Sequence, residues 1–315
     1  MQIQWYPGHM HKASKEIKHA LPDIDLLIEI LDARIPYSSQ NPMLASLRGD
    51  KPTIRVLSKT DLADPELTKT WQAYLEREQA VKTLAVTTQQ PDKIKQIIDL
   101  CAKMLPEKTA ANKVIRTMIV GIPNVGKSTI INVLAGRTIA KTGNEPAVTK
   151  QQQKINLGNN IVLSDTPGVL WPNVENRHSG YRLAVTGAIK DTAFQHDDIA
   201  LYALGYLGKA YPDRLVQRYR LESLPEESLA LLKAIGAKRG CLRSGGIVEL
   251  DKAAKLLMNE LRAGTLGQIT LETPEMIEAE MLELAAIREQ KAARQAARRR
   301  GAPSFSPTDI ESPKK

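Results

Sequence analysis

Apolar residues in "MHKASKEIKHAL" (10–21) recur at helical spacing and stop before Pro22, which predicts a short amphipathic helix. "IDLLIEILDAR" is a continuous apolar run closed by charged residues, the pattern of a strand buried on both faces, and "PTIRVLSKTD" is a second such strand running into a loop. A helix is expected around 65–79, a short strand at 82–86 and a helix at 91–104. The strand "VIRTMIVG" then leads through a glycine-containing loop into a helix from Ser128 to Ala135, and strands near 151–157 and 160–165 carry the chain to "SDTPG". Strands alternating with helices imply a mostly parallel sheet covered on both sides.

From about 177 the pattern changes. "DDIALYALGYLGKAY", "ESLALLKAIGAK" and "VELDKAAKLLMNELRAG" repeat apolar residues at helical spacing, with "GGIVEL" as the one remaining strand candidate. The expected organisation is an N-terminal segment and helix over 1–22, an α/β domain over 23–176, a helical domain over 177–285 and a basic, disordered tail over 286–315. No internal repeat is present.

Composition adds a partner class. The 315 residues carry a formal charge of +9, which favours an acidic partner, nucleic acid being the commonest. Arg288, Lys291, Arg294, Arg298, Arg299 and Arg300 against Glu289 place +5 of it within thirteen residues. Such a stretch is a solvated helix face, a disordered solubilising end or a site of contact with RNA phosphates. Cys101 and Cys241 stand far apart and outside any CxxC or Cys/His cluster, so neither a disulfide framework nor structural zinc is expected, and a reducing cytoplasm fits. No apolar run approaches the ~18 residues of a membrane span, and the N-terminus lacks a signal-peptide core.

The chemistry is concentrated in five short motifs. "GIPNVGKS" matches G-x-x-x-x-G-K-[ST] between a predicted strand and a predicted helix. Gly121 and Gly126 let the backbone of Asn124, Val125, Gly126 and the following Lys127, Ser128 and Thr129 curl around phosphates. Lys127 reaches the β- and γ-phosphates, and the Ser128 hydroxyl ligates Mg²⁺. "DTPG" ends a later strand. Alone it could be a capped turn, but downstream of a phosphate loop Asp165 is placed to hold Mg²⁺ through water, and Gly168 to offer its N–H to a γ-phosphate. Thr149 in "EPAVTK" is either the threonine that completes Mg²⁺ coordination or a solvated loop residue.

"SKTD" selects the base. Asp61 can accept from both guanine N1–H and the exocyclic amine, a donor pair that adenine lacks, while Lys59 lays its stem along the ring next to Thr60. Ser58 stands where guanine-binding proteins usually carry Asn. A hydroxyl is shorter and makes fewer bonds, so guanine preference is expected to persist with affinity lower by about 1 kcal/mol. Backbone N–H groups of Thr87 and Thr88 in "AVTTQQ" are candidates for guanine O6. After DTPG comes Val169, where a GTPase ordinarily places a water-orienting glutamine.

The order of these motifs is base, base, phosphate, switch, switch, a circular permutation of the usual arrangement. With "WYPGHM" and "DARIPYSSQNP" near the N-terminus, the chain over about 1–285 resembles the ribosome biogenesis GTPase A family, the YlqF-like circularly permuted GTPases. The resemblance implies an α/β fold, a circularly permuted P-loop GTPase domain with a mostly parallel sheet, followed by a smaller all-helical domain. It also implies GTP and GDP as ligands, Mg²⁺ as cofactor, and GTP hydrolysis during late assembly of the large ribosomal subunit. The precursor of that subunit and its ribosomal RNA would be the partners of a cytoplasmic monomer without membrane attachment. It further suggests that His9 acts on the attacking water, against a reading in which His9 only caps or packs its helix. Asn124 would help hold a K⁺ ion, or else only stabilise the loop's turn. Ser58, and Ala147 where a glycine is common, depart from the family pattern. A rival of another class stays open: a nucleotide-gated RNA-binding module whose hydrolysis is incidental.

Overall fold

A computed structural model describes residues 5–140, 153–172 and 174–301, with side chains up to residue 295. Thr149, Ala147 and the end of the basic tail lie outside the described residues. The chain divides into two compact units, the first ending at Pro274 and the second beginning at Glu275.

In chain order the first unit runs α1 (Gly8–Ala20), β1 (Leu26–Asp32), α2 (Pro42–Arg48), β2 (Thr53–Ser58), α3 (Pro65–Leu75), β3 (Val81–Ala85), α4 (Pro91–Met104), α5 (Pro106–Ala110), β4 (Ile115–Gly121), α6 (Lys127–Ala135), β5 (Gln153–Gly158) and β6 (Ile161–Asp165). The helices α7 (Arg177–Val185), α8 (His196–Ala210), α9 (Pro212–Tyr219), α10 (Ser228–Lys238) and α11 (Leu250–Arg262) follow. The "GGIVEL" candidate forms no strand; only an isolated antiparallel bridge joins Leu242 to Val248.

The six strands form one sheet in the order β3-β2-β1-β4-β6-β5, with only the β5–β6 pair antiparallel. Every residue of β1 and β2 is buried, as their unbroken apolar runs require. Three of those residues, Glu29, Asp32 and Arg55, are charged. Glu29 and Arg55 are register partners on β1 and β2, with Nε–Oε2 at 3.2 Å, so each offsets the other's desolvation. The parallel strands end together: Asp32, Ser58, Ala85, Gly121 and Asp165 close β1, β2, β3, β4 and β6 along one edge. Chain order steps outward from β1 to β3, then returns to β4 on the other side of β1. The gap beside β1 and β4 is therefore the topological switch point, where open α/β sheets bind ligands.

α2 was not expected from the "DARIPYSSQNP" stretch. Its start is locally encoded, because Asn41 caps it by accepting from the Met43 N–H at 3.0 Å, and Pro42 fills the first turn, where no N–H is needed. The sheet and α7–α11 belong to the same compact unit. α7 shows why, since Ser179–Val185 are all buried.

The second unit contains α12, a continuous helix over Pro274–Gly301. The helix runs past 286, where the tail was expected to begin, as far as Gly301. "AAIREQKAARQAARRR" consists of strong helix formers, whose propensity carries the helix across that point.

Candidate functional site

The loop between β4 and α6 is shaped by its glycines. Gly126 caps α6 at φ +93°, and Asn124 takes φ +58°, conformations that turn successive N–H groups toward one concavity. The first N–H groups of α6 lack intrahelical partners, so this helix start favours an anion. A side chain at Gly121 would place Cβ 2.9 Å from the Ile30 carbonyl oxygen, and one at Gly168 would sit 3.1 Å from the Pro123 Cα. The DTPG segment thus lies directly against the phosphate loop, with the Val169 N–H donating to the Gly121 carbonyl at 3.1 Å.

Lys127 and Asp165 meet at 2.6 Å, both buried. Burial pushes the Lys127 ammonium down, and the Asp165 carboxylate opposes that shift. Ser128 and Thr129 are half-buried in the first turn of α6, and the Ser128 hydroxyl makes no hydrogen bond among the described residues. Asn124 donates from Nδ2 to the Gly187 carbonyl at 2.8 Å, just beyond the C-terminus of α7. This ties the phosphate loop to the first of the later helices, a contact that sequence reasoning missed.

The base motif sits at the ends of β2 and β3. Ser58 Oγ lies 2.6 Å from the Val125 carbonyl and 2.9 Å from the Leu31 carbonyl, so its single proton already bridges toward the phosphate loop. The shorter side chain therefore reaches that loop after all, at the cost of having no further donor. Lys59 adopts φ +58° and places Nζ 3.0 Å from Asp32 Oδ2. Asp32 also accepts from the Arg34 backbone N–H at 3.0 Å, Nε at 2.9 Å and Nη2 at 2.7 Å. Burial alone would raise the Asp32 carboxyl, but the Arg34 guanidinium and the Lys59 ammonium hold it far below the usual carboxylate range. Asp61 is exposed, and the Thr60 N–H donates to the Val86 carbonyl at 3.3 Å, which joins the motif to buried Thr87 and exposed Thr88.

These contacts bring Ser58, Lys59, Thr60, Asp61, Thr87, Thr88, the 124–129 loop, Asp165 and Gly168 to one edge of the sheet. His9 is not joined to them by any hydrogen bond or ion pair among the described residues. It is exposed in the first turn of α1, whose Met10, Ala13 and Ile17 enter the core. Val169 is buried, so its side chain cannot serve a water. Asp32 and Arg34 were also missed as supports of the base motif. "DAR" at the end of β1 was the available signal, two charges of opposite sign closing a mostly apolar strand.

The family model described as "50S ribosome-binding GTPase" matches residues 116–205, the stretch that holds the phosphate loop and DTPG. Ribosome biogenesis GTPase A of Priestia megaterium is 47% identical over 282 residues, covering 87% of this chain and 98% of its own. The chain belongs to the ribosome biogenesis GTPase A family. Among solved structures, GDP-bound YlqF aligns with TM-score 0.60 and 27% identity over 82% of this chain and 99% of its own. GNP-bound YlqF from Thermotoga maritima aligns with TM-score 0.59 and 27% identity over 84% and 99%. The phosphate-loop strand is fourth in the chain yet central in the sheet, which is consistent with the permuted arrangement expected from the motif order. Among the described residues no helix is long and apolar enough to cross a membrane.

Proposed function

We propose that this protein hydrolyses GTP to GDP and phosphate while assisting late assembly of the large ribosomal subunit, as a cytoplasmic monomer that binds the subunit precursor and its ribosomal RNA. The observation that carries the reading is the convergence of a phosphate cradle, a buried Lys127–Asp165 pair and the Asp61 loop on one sheet edge. The names of the relatives, ribosome biogenesis GTPases, support the partner.

In this reading Asp61 accepts from guanine, the Lys59 stem covers the ring, and Thr87 and Thr88 offer N–H groups to O6. The N-terminal N–H groups of α6 and the Lys127 ammonium bind the phosphates and offset the charge that grows on them during transfer. Ser128 and Asp165 are hard oxygen donors at the phosphate end, and they fit Mg²⁺, with Thr149 as a further ligand. Bound Mg²⁺ supplies additional charge neutralisation at the phosphoryl oxygens. Asn124, its amide fixed by Gly187, is the candidate K⁺ ligand. His9 orients the attacking water or takes its proton, because buried Val169 cannot. α7 begins at Arg177, nine positions beyond Gly168, so the segment nearest the γ-phosphate leads straight into the helical region. That region, residues 177–285, and the basic tail beyond it would contact RNA phosphates, giving affinity with little sequence information.

The test compares wild type, His9→Ala and Asn124→Ala with large ribosomal subunits, in potassium and in sodium salts. His9→Ala is expected to lose subunit-stimulated hydrolysis while keeping nucleotide and subunit binding. Wild type is expected to be faster in potassium, and Asn124→Ala to lose that difference. Unchanged hydrolysis in His9→Ala, with subunit binding still dependent on nucleotide, would favour the gated RNA-binding module. The exposed, unbonded His9 is the observation that keeps this second reading in play.

A further inference from the structure

Asp61 itself is exposed, but the loop that carries it is held on both flanks. On the N-terminal side Lys59 is anchored to Asp32. On the C-terminal side the anchor comes from more than 200 residues away, in the stretch between α11 and α12. There the Ile269 N–H donates to the Leu62 carbonyl at 2.9 Å, and the Asp64 N–H donates to Thr270 Oγ1 at 3.1 Å. Gly264, at φ +74°, lets the same stretch lie so close that a Cβ there would be 2.6 Å from Leu62 Cδ2.

This strap is itself fixed from behind. Thr270 is fully buried, its N–H donates to Tyr211 Oη at 3.1 Å, and its carbonyl accepts from Tyr206 Oη at 3.0 Å. Thr270 thus joins α8 and the start of α9 to the loop immediately after Asp61.

We infer that Thr270 is a positioning residue for guanine recognition, holding the Asp61 loop so that its carboxylate meets both guanine donors. The inference rests on the base-site reading proposed above. Ser58 gives the geometric reason. Its single proton is committed to carbonyls at the Val125 and Leu31 positions, so it has no donor left with which to steady the base or its loop. On the C-terminal side of Asp61 the strap supplies the steadying bonds. A paired acceptor aligned with two donors is lost as a unit when its loop shifts, and a loop that must be ordered on binding weakens affinity further. Only a ligand that uses Asp61 feels this, which makes the effect selective for guanine.

The experiment measures GDP and ADP dissociation constants, with melting temperature, on the full chain carrying Thr270→Val, Thr270→Ser or Tyr211→Phe. Thr270→Val keeps the shape and removes the acceptor. It is expected to weaken GDP about tenfold, the worth of one buried hydrogen bond left unmade, and ADP by less than about twofold. Thr270→Ser restores GDP binding. Tyr211→Phe, which loosens the strap from behind, shifts GDP in the same direction and keeps a readout available should Thr270→Val fold poorly. Equal weakening of GDP and ADP, or no rescue by serine, would reduce Thr270 to a packing role and overturn the inference. Failure of the base-site reading itself looks different. Asp61→Asn exchanges an acceptor for a donor and should move preference from guanosine to xanthosine diphosphate; absence of that move would remove the site, whatever Thr270 does.

Discussion

Replacing Lys127 with alanine is expected to lower GTP hydrolysis at least about 100-fold, the cost of removing one preorganised group from developing transition-state charge. The buried geometry makes the effect large. Lys127 is the cation that faces Asp165 at 2.6 Å at the start of α6. Its loss strips the phosphate loop of its fixed positive charge and leaves the buried Asp165 carboxylate beside the loop without its cation, so the attraction for phosphate falls. Single-turnover hydrolysis with excess enzyme checks this, with GDP binding measured beside it. Hydrolysis within a few-fold of wild type would mean that the charge acting on the phosphates comes from elsewhere.

The second large effect is on stability. Arg182 and Glu272 are both fully buried, with Nη1 3.4 Å from Oε2, and Arg182 Nε donates to the Leu271 carbonyl at 3.2 Å. Glu272 also accepts from the backbone N–H groups of Tyr37 and Ser38 and from the Ser38 hydroxyl. One carboxylate therefore fastens the strap, α7 and the "DARIPYSSQNP" loop together. Burial pushes the Glu272 carboxyl up, and Arg182 is the cation that opposes this. Arg182→Ala leaves that charge unmatched, at a cost of roughly 3–5 kcal/mol, a large part of the ~5–15 kcal/mol that a domain possesses. A fall in Tm of roughly 10 °C is the corresponding thermal result. Arg182→Met combined with Glu272→Leu should recover much of it, because removing both charges also removes their desolvation. A change below about 1 kcal/mol for Arg182→Ala would show that the pair is solvated in the folded protein.

Local chemistry was legible in the sequence and long-range contact was not. The phosphate loop, DTPG and SKTD are contiguous motifs whose flanking strands announce themselves as unbroken apolar runs, so the α/β sheet and the permuted order could be read directly. The strap could not. "TLGQITLET" has no periodicity, because its residues are held by hydrogen bonds to Leu62, Asp64, Arg34 and Tyr37 far away in the chain rather than by a repeating neighbour. The same holds for Asn124 and Gly187, 63 positions apart. Ser58 was read by residue type as a weaker bridge. Its reach to Val125 depends on how closely β2 and the phosphate loop approach, which only the assembled sheet reveals. For the tail, charge density left both a solvated helix face and a disordered end open; alternating Ala, Arg, Gln and Lys favour helix, and α12 continues through them.

The most direct measurement is the rate of GTP hydrolysis with and without purified large ribosomal subunits, in potassium buffer with Mg²⁺. Strong stimulation is predicted, because buried Val169 cannot orient water and His9, at the start of α1, makes no hydrogen bond or ion pair among the described residues. The same rate with bound subunits as without them would contradict the account and leave nucleotide as a gate for RNA binding.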